Sequence, residues 1–312
     1  MIAAGGGNIS TVTLDGTKTA GFEMPDISAN GISLHYESIG CETDPPILLV
    51  MGLAVQMILW PDAFCRMLAD KGFRVIRFDN RDVGLSTQLN HLGKPNIPVE
   101  YVKFMLRLPI KARYRIDDMA ADTTALMAVL QLPRVHIVGA SMGGMIAQNL
   151  AASVPDRVAS LTSIMSTTGR RSLPKASWRA MKAILTPPAK RGDIEGSIQR
   201  MMKVVRAIGS RTHPMNEIKL REFCEQHVLR ANNPDGAARQ MMAIAASDDR
   251  THIVRQIKVP TLVIHGDEDE LIPVAAGLET ARVIREGGGQ ASTLILEGMG
   301  HDLPEIFWPR LA

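Results

Sequence analysis

The stretch Val135-His136-Ile137-Val138-Gly139-Ala140-Ser141-Met142-Gly143-Gly144-Met145-Ile146-Ala147-Gln148 decides how the rest of this chain is read. A short β-branched run passes through one tight turn into a helical segment, and the pattern G-x-S-x-G sits on that turn. So abrupt a passage strains the backbone of the central residue. It also leaves no room for side chains two positions before and two after, where the chain has Gly139 and Gly143. The expected geometry lifts the Ser141 hydroxyl above a sheet at a helix N-terminus. Unpaired amides there stabilise a developing oxyanion, and the Met142 N–H is the first expected donor.

Outward from this turn, apolar runs of strand length recur at residues 32–38, 47–51, 74–78, 161–165, 261–265 and 293–296. Most are short and continuously apolar, the mark of strands covered on both faces. Segments of helical period, such as 63–71 and 117–130, lie between them, so the fold class is α/β with a mostly parallel sheet flanked by helices. The alternation stops over residues 170–256. No strand is expected there, and Ile198, Met201, Met202, Val205 and Ile208 fall on one helical face. The domain plan is therefore an arm over 1–25 with Gly5-Gly6-Gly7, a core of 26–169 and 257–312, and an inserted helical cap over 170–256. Met181, Met201, Met202, Met215, Met241 and Met242 enrich that insertion. They read first as packing between cap and sheet, and some as an adaptable pocket roof.

A serine hydroxyl needs a base, and the base needs an orienting carboxylate. After the strand at 261–265 come Asp267, Glu268, Asp269 and Glu270; after the strand at 293–296 comes Gly298-Met299-Gly300-His301. The order serine, acid, histidine is the one expected of a nucleophile on a strand-to-helix turn. Of the eight histidines, His301 alone lies on a glycine-rich loop after the last strand. The other seven, His265 among them, read as structural. The four carboxylates share one loop, and their spacing does not choose between them. The second oxyanion donor is expected from Met51-Gly52-Leu53-Ala54, where Gly52 lets the backbone bend so that the Leu53 N–H points inward.

The composition narrows the function classes. Of 312 residues 46% are hydrophobic and 21% charged, which suits a globular chain with a sizeable core. A formal net charge of +3 with interspersed signs does not imply a nucleic-acid partner. Lys103, Arg107 and Lys111 follow one helical face, but Pro109 interrupts it, and the face reads as solvated surface. Gly16-Thr17-Lys18-Thr19 lacks the upstream glycine of a phosphate loop. No metal-ligand spacing occurs, so neither metal nor cofactor is expected. Cys41, Cys65 and Cys224 form no C-x-x-C pair and read as free thiols of a cytoplasmic protein. No run of ~18 apolar residues suggests a membrane span.

Taken together these residues resemble the α/β-hydrolase superfamily from about Ile32 onward. The stretch from Leu48 through Trp60-Pro61-Asp62, followed by Val75 to Phe78 and Asp79-Asn80-Arg81-Asp82-Val83-Gly84-Leu85-Ser86, is similar to bacterial hydrolases related to aclacinomycin methylesterases. The resemblance implies that the acid lies four residues before a proline, which selects Asp269 before Pro273, with Asp267 second. It also implies that Asp79 to Ser86 is a structural turn beside the site. Where many members carry His-Gly before the oxyanion residue, this chain has Met51-Gly52. The implied activity is carboxylic-ester hydrolysis through an acyl-enzyme on small hydrophobic esters. Lactonase, thioesterase and perhydrolase activities use the same triad, and a ligand receptor of this fold needs no turnover.

Overall fold

Alternation along β3 (Pro46–Val50) shows how the core is built. Successive side chains leave a strand on opposite faces, so Ile47 and Leu49 enter one apolar cluster while Leu48 and Val50 enter another. Both faces are buried, which explains the unbroken apolar run. The computed structural model describes residues 26–312; the arm expected over 1–25 lies outside them.

The strands in chain order are β1 (Asp26–Ala29), β2 (Ile32–Ile39), β3, β4 (Arg74–Phe78), β5 (Val135–Ala140), β6 (Val158–Ile164), β7 (Thr261–Gly266) and β8 (Ala291–Leu296). They form one eight-stranded sheet in the order β1-β2-β4-β3-β5-β6-β7-β8. From β4 to β8 every pairing is parallel, while β1 with β2 and β2 with β4 are antiparallel. β1 precedes the first strand expected from the sequence. Its signal is Asn30-Gly31, whose φ angles of 52° and 76° make the tight turn that a two-residue hairpin needs.

Helix α1 (Asp62–Ala69) follows β3, α2 (Ile97–Met105) and α3 (Ile116–Val129) both follow β4, and α4 (Met142–Ser153) follows β5. Between β6 and β7 lie α5 (Trp178–Ile184), α6 (Ile194–Ile208), α7 (Glu217–Arg230), α8 (Pro234–Ser247) and α9 (Thr251–Val254), and the described residues there include no strand. α10 (Ala275–Glu286) and the short α11 (Trp308–Leu311) complete the chain. α3 and α4 cover one sheet face, with Met119, Leu126, Ile146 and Leu150 buried against Ile76 and Ile137. α1 covers the other through Phe64, Cys65 and Leu68. Each such side chain removed from water contributes about 1.5–3 kcal/mol.

The face of α6 meets α7 rather than the sheet. Ile198, Met202, Leu220, Cys224 and Val228 form a separate cluster, joined by Met201 and Val205. These methionines are core packing between two helices. Lys103, Arg107 and Lys111 share no continuous helical face: α2 ends at Met105 and Arg107 has φ 58°, so the interruption comes before Pro109, and Arg107 and Lys111 are exposed.

Candidate active site

The turn after β5 meets its steric demands. Ser141 has φ 57° and ψ −121°, outside the helix that begins at Met142. A Cβ on Gly139 would stand 2.2 Å from the Gly143 oxygen, and one on Gly143 would stand 2.1 Å from the Val50 oxygen. Neither position tolerates a side chain, which is why β3, β5 and α4 approach so closely. The strained turn is held on both sides, since Ser141 N donates to Ile164 O at 2.9 Å and Ser166 Oγ donates to Ser141 O at 2.8 Å.

Ser141 Oγ lies 2.9 Å from His301 Nε2, and His301 Nδ1 lies 2.7 Å from Asp269 Oδ2. Three loops at the C-terminal ends of β5, β7 and β8 bring these groups together. Asp269 Oδ1 accepts from the backbone amides of Leu271 and Ile272 at 2.9 and 2.8 Å, so the carboxylate cannot rotate freely. Burial raises the Asp269 pKa, but the neighbouring His301, hydrogen bonds from His265 and His301, and the Ile272 amide together hold it well below the usual carboxylate range.

The other three carboxylates of that loop have different partners. Asp267 Oδ1 accepts from Gly298 N at 2.8 Å and so ties the acid loop to the histidine loop. Glu268 accepts from the Arg211 and Thr212 amides and the Thr212 hydroxyl. Glu270 accepts from Ser177 Oγ and pairs with Arg211. Both glutamates therefore grip the segment between α6 and α7 or the approach to α5. Only Asp269 faces the imidazole of His301.

The histidine loop is gripped from the same side. His301 N donates to Ile208 O at 2.8 Å, Gly300 N donates to Ser210 Oγ at 2.7 Å, and Asp302 accepts from both the amide and the hydroxyl of Ser210. A Cβ on Gly300 would meet Gly209 and Ser210 backbone at 2.4–2.5 Å, so the glycine is what admits this strand of the helical segment. Sequence reasoning found the loop without these partners.

The loop after β3 passes beside the serine. A Cβ on Gly52 would stand 3.1 Å from Ser141 Cβ and 3.5 Å from Ser141 Oγ. Met142, as the first residue of α4, has no carbonyl one turn earlier for its amide. Leu53 is half-buried and packs against the core cluster. With methionine at position 51, the loop is held by distant side chains. Asn80 Nδ2 donates to Met51 O, Ala54 N to Gln240 Oε1, Gln56 N to His227 Nε2 and Met57 N to Asp79 Oδ1. Asp79 also pairs with Arg230, and Asp82 pairs with Arg239 of α8, both aspartates being buried. The turn from Asp79 to Ser86 thus links the loop beside Ser141 to α7 and α8.

His265 is a residue whose position sequence reasoning undervalued. It is fully buried at the end of β7, with Nε2 2.7 Å from Ile272 O and 3.4 Å from Asp269 Oδ2. A carbonyl only accepts, so Nε2 carries the proton and leans toward the Asp269 carboxylate. Its spacing of four residues before Asp269 was the available signal.

Comparison with known proteins fits this architecture. The family model of the alpha/beta hydrolase fold matches residues 45–186. Rhodomycin D methylesterase of a Streptomyces species is 33% identical over 136 residues, which are 44% of this chain and 40% of that protein, so the match spans less than half of the relative. 3-Oxoadipate enol-lactonase 2 of Acinetobacter baylyi is 26% identical over 80% of this chain and 81% of its own. Among solved structures, a thermophilic esterase from Thermogutta terrifontis shares the fold with a TM-score of 0.67 at 24% identity, covering 93% of this chain and 96% of that one. With its mostly parallel eight-stranded sheet and the serine turn after β5, the chain is a protein of the α/β-hydrolase fold.

Proposed function

We propose that the chain is a serine carboxylic-ester hydrolase, with Ser141 as nucleophile, His301 as general base and then acid, and Asp269 as the group that orients the imidazole. The observation that carries this reading is the continuous contact from Ser141 Oγ through both ring nitrogens of His301 to Asp269. Asp269 accepts from Nδ1–H, which leaves Nε2 free to take the serine proton. As Ser141 Oγ bonds to the ester carbonyl carbon, its proton moves to His301 Nε2 and negative charge develops on the carbonyl oxygen. The Leu53 and Met142 amides are the donors assigned to that oxygen, each worth about 3 kcal/mol of transition-state stabilisation. Collapse breaks the bond to the alkoxy group, which leaves as the alcohol with the His301 proton. Water then repeats the sequence on the acyl-enzyme and restores Ser141.

Residues 170–256 form the cap of this reading, because their segment at 208–212 touches both the acid loop and the histidine loop. The similarity to a methylesterase favours small alcohol leaving groups on hydrophobic acids. A second reading, lactone hydrolysis, is favoured by the similarity to an enol-lactonase over four-fifths of the chain. It uses the same groups on a cyclic ester.

The test is labelling by a fluorophosphonate with peptide mapping, together with turnover of p-nitrophenyl esters. The label is expected on Ser141, and Ser141→Ala is expected to lose both label and turnover while remaining folded, a fall of ~10⁴-fold or more. Turnover retained by a folded Ser141→Ala variant excludes the proposal. A single stoichiometric acylation without further turnover would instead mark a ligand receptor.

A further inference from the structure

α2 is turned inside out. In an ordinary surface helix the apolar stripe faces the core and charges face water. Here the buried residue of the helix is Glu100, whose carboxylate accepts from Lys103 Nζ at 2.8 Å and from the Lys111 amide at 3.0 Å. The Lys103 bond lies within the helix, and the Lys111 bond staples it to the returning chain. Val99, Tyr101, Val102, Met105, Leu106 and Leu108 are 46–64% exposed. Scattered exposed apolar residues are normal on a protein surface, but a contiguous set on one short element marks an interaction face.

The charges around this set identify what covers it. Over residues 97–113 the acid is Glu100, buried and bonded, while Arg107, Lys111 and Arg113 are exposed and Lys103 is half-exposed. Arg171 adds a guanidinium 5.2 Å from the centroid of the Phe104 ring, itself paired with Asp248. Within 97–113 apolar side chains interleave with cations and the sole carboxylate is buried, while the exposed Asp248 at the edge is neutralised by Arg171; this pattern matches a bilayer surface with anionic headgroups. The apolar residues enter the acyl boundary and the cations meet phosphates. A symmetric dimer through the same face would bring together two surfaces that both carry Arg107, Lys111 and Arg113, and this like-charge approach disfavours a second chain as the occupant. We propose that the element 97–113 is a monotopic membrane-docking surface that rests the protein on anionic lipid. No helix among the described residues is long and apolar enough to cross a bilayer, so the mode is contact rather than span.

The experiment is flotation of the full chain with vesicles of phosphatidylcholine, with and without phosphatidylglycerol, at low and high salt. Binding is expected on the anionic vesicles and is expected to weaken at high salt. Arg107→Glu with Lys111→Glu is expected to weaken it by ~30-fold or more. Val102→Ser with Met105→Ser is expected to weaken it by about tenfold or more. Turnover of a soluble ester by these variants should match the parent, since no hydrogen bond joins any of the four residues to Ser141, Asp269 or His301. Absence of vesicle binding, or binding unchanged in both variants, overturns the proposal. So does a concentration-dependent dimer in sedimentation that the Ser variants abolish, because a second copy would then be the occupant.

Discussion

Two loops flank Ser141, and they are built on opposite principles. The turn from β5 into α4 is shaped by what is missing: Gly139 and Gly143 lack side chains, and the backbones of β3 and α4 close into that space. The loop from Met51 to Met57 is shaped by what arrives from elsewhere. Asp79, Asn80, His227 and Gln240 each hold one of its backbone groups, two of them from more than 170 residues away. The first loop is encoded locally and the second by tertiary structure. The contrast explains why one could be read directly and the other only in outline.

The largest effect is expected at the locally encoded turn. Gly143→Ala places a Cβ 2.1 Å from the Val50 oxygen, a backbone atom that cannot step aside. Loss of at least ~2–3 kcal/mol of stability by denaturant unfolding, with ester turnover abolished, is the expected outcome. A variant as stable and active as the parent would show that the close approach is not required. Next comes the acid: Asp269→Asn is expected to cost ~10⁴-fold in turnover, far more than Asp267→Asn, whose partner is the Gly298 amide. The reverse ranking in steady-state kinetics overturns the assignment of Asp269.

The tertiary loop should respond in smaller steps. Gln240→Leu removes the acceptor of the Ala54 amide and the donor to Arg81 O. A fall in kcat of about 10- to 100-fold is expected, with KM changed much less, because the Leu53 amide proposed as an oxyanion donor would be misplaced rather than deleted. A rise in KM alone would place this loop in substrate binding instead. The smallest effect concerns pH. Burial, and secondarily Arg230, push the His227 imidazole down from 6.5 to about 4. The unfolded chain therefore binds a proton that the folded chain does not between those values. The associated stability is complete above about pH 6.5 and declines as pH falls toward 4, by up to about 3 kcal/mol. His227→Gln should flatten that slope in chemical unfolding measured across this range, and an unchanged slope would assign it to other groups.

Legibility followed the same divide. The strands were readable because burial on both faces writes an unbroken apolar run, as in Ile47 to Val50, and the turn was readable because steric need writes glycine at fixed offsets. β1 escaped because four residues with one buried side chain carry little pattern, although Asn30-Gly31 announced its hairpin. His301 was legible from its loop, whereas Asp269 needed a family resemblance, since four carboxylates in a row look alike until their partners are seen. Gln240, Arg230 and Arg239 lie on helical faces with no local sign that they reach back to the turn at Asp79 to Ser86. The outward apolar face of α2 inverts the usual pattern, and the composition of a segment does not say which side of it faces water.

The grip of Ser210 on Gly300 and Asp302 bears on recombination between relatives. A chimaera that imports a foreign helical insert at its sequence borders also replaces the residues at 208–212 that hold the imidazole-bearing loop. Grafts should therefore be chosen as matched sets, with the insert and the loop at 297–302 drawn from one parent, so that substrate range is exchanged without loosening the histidine.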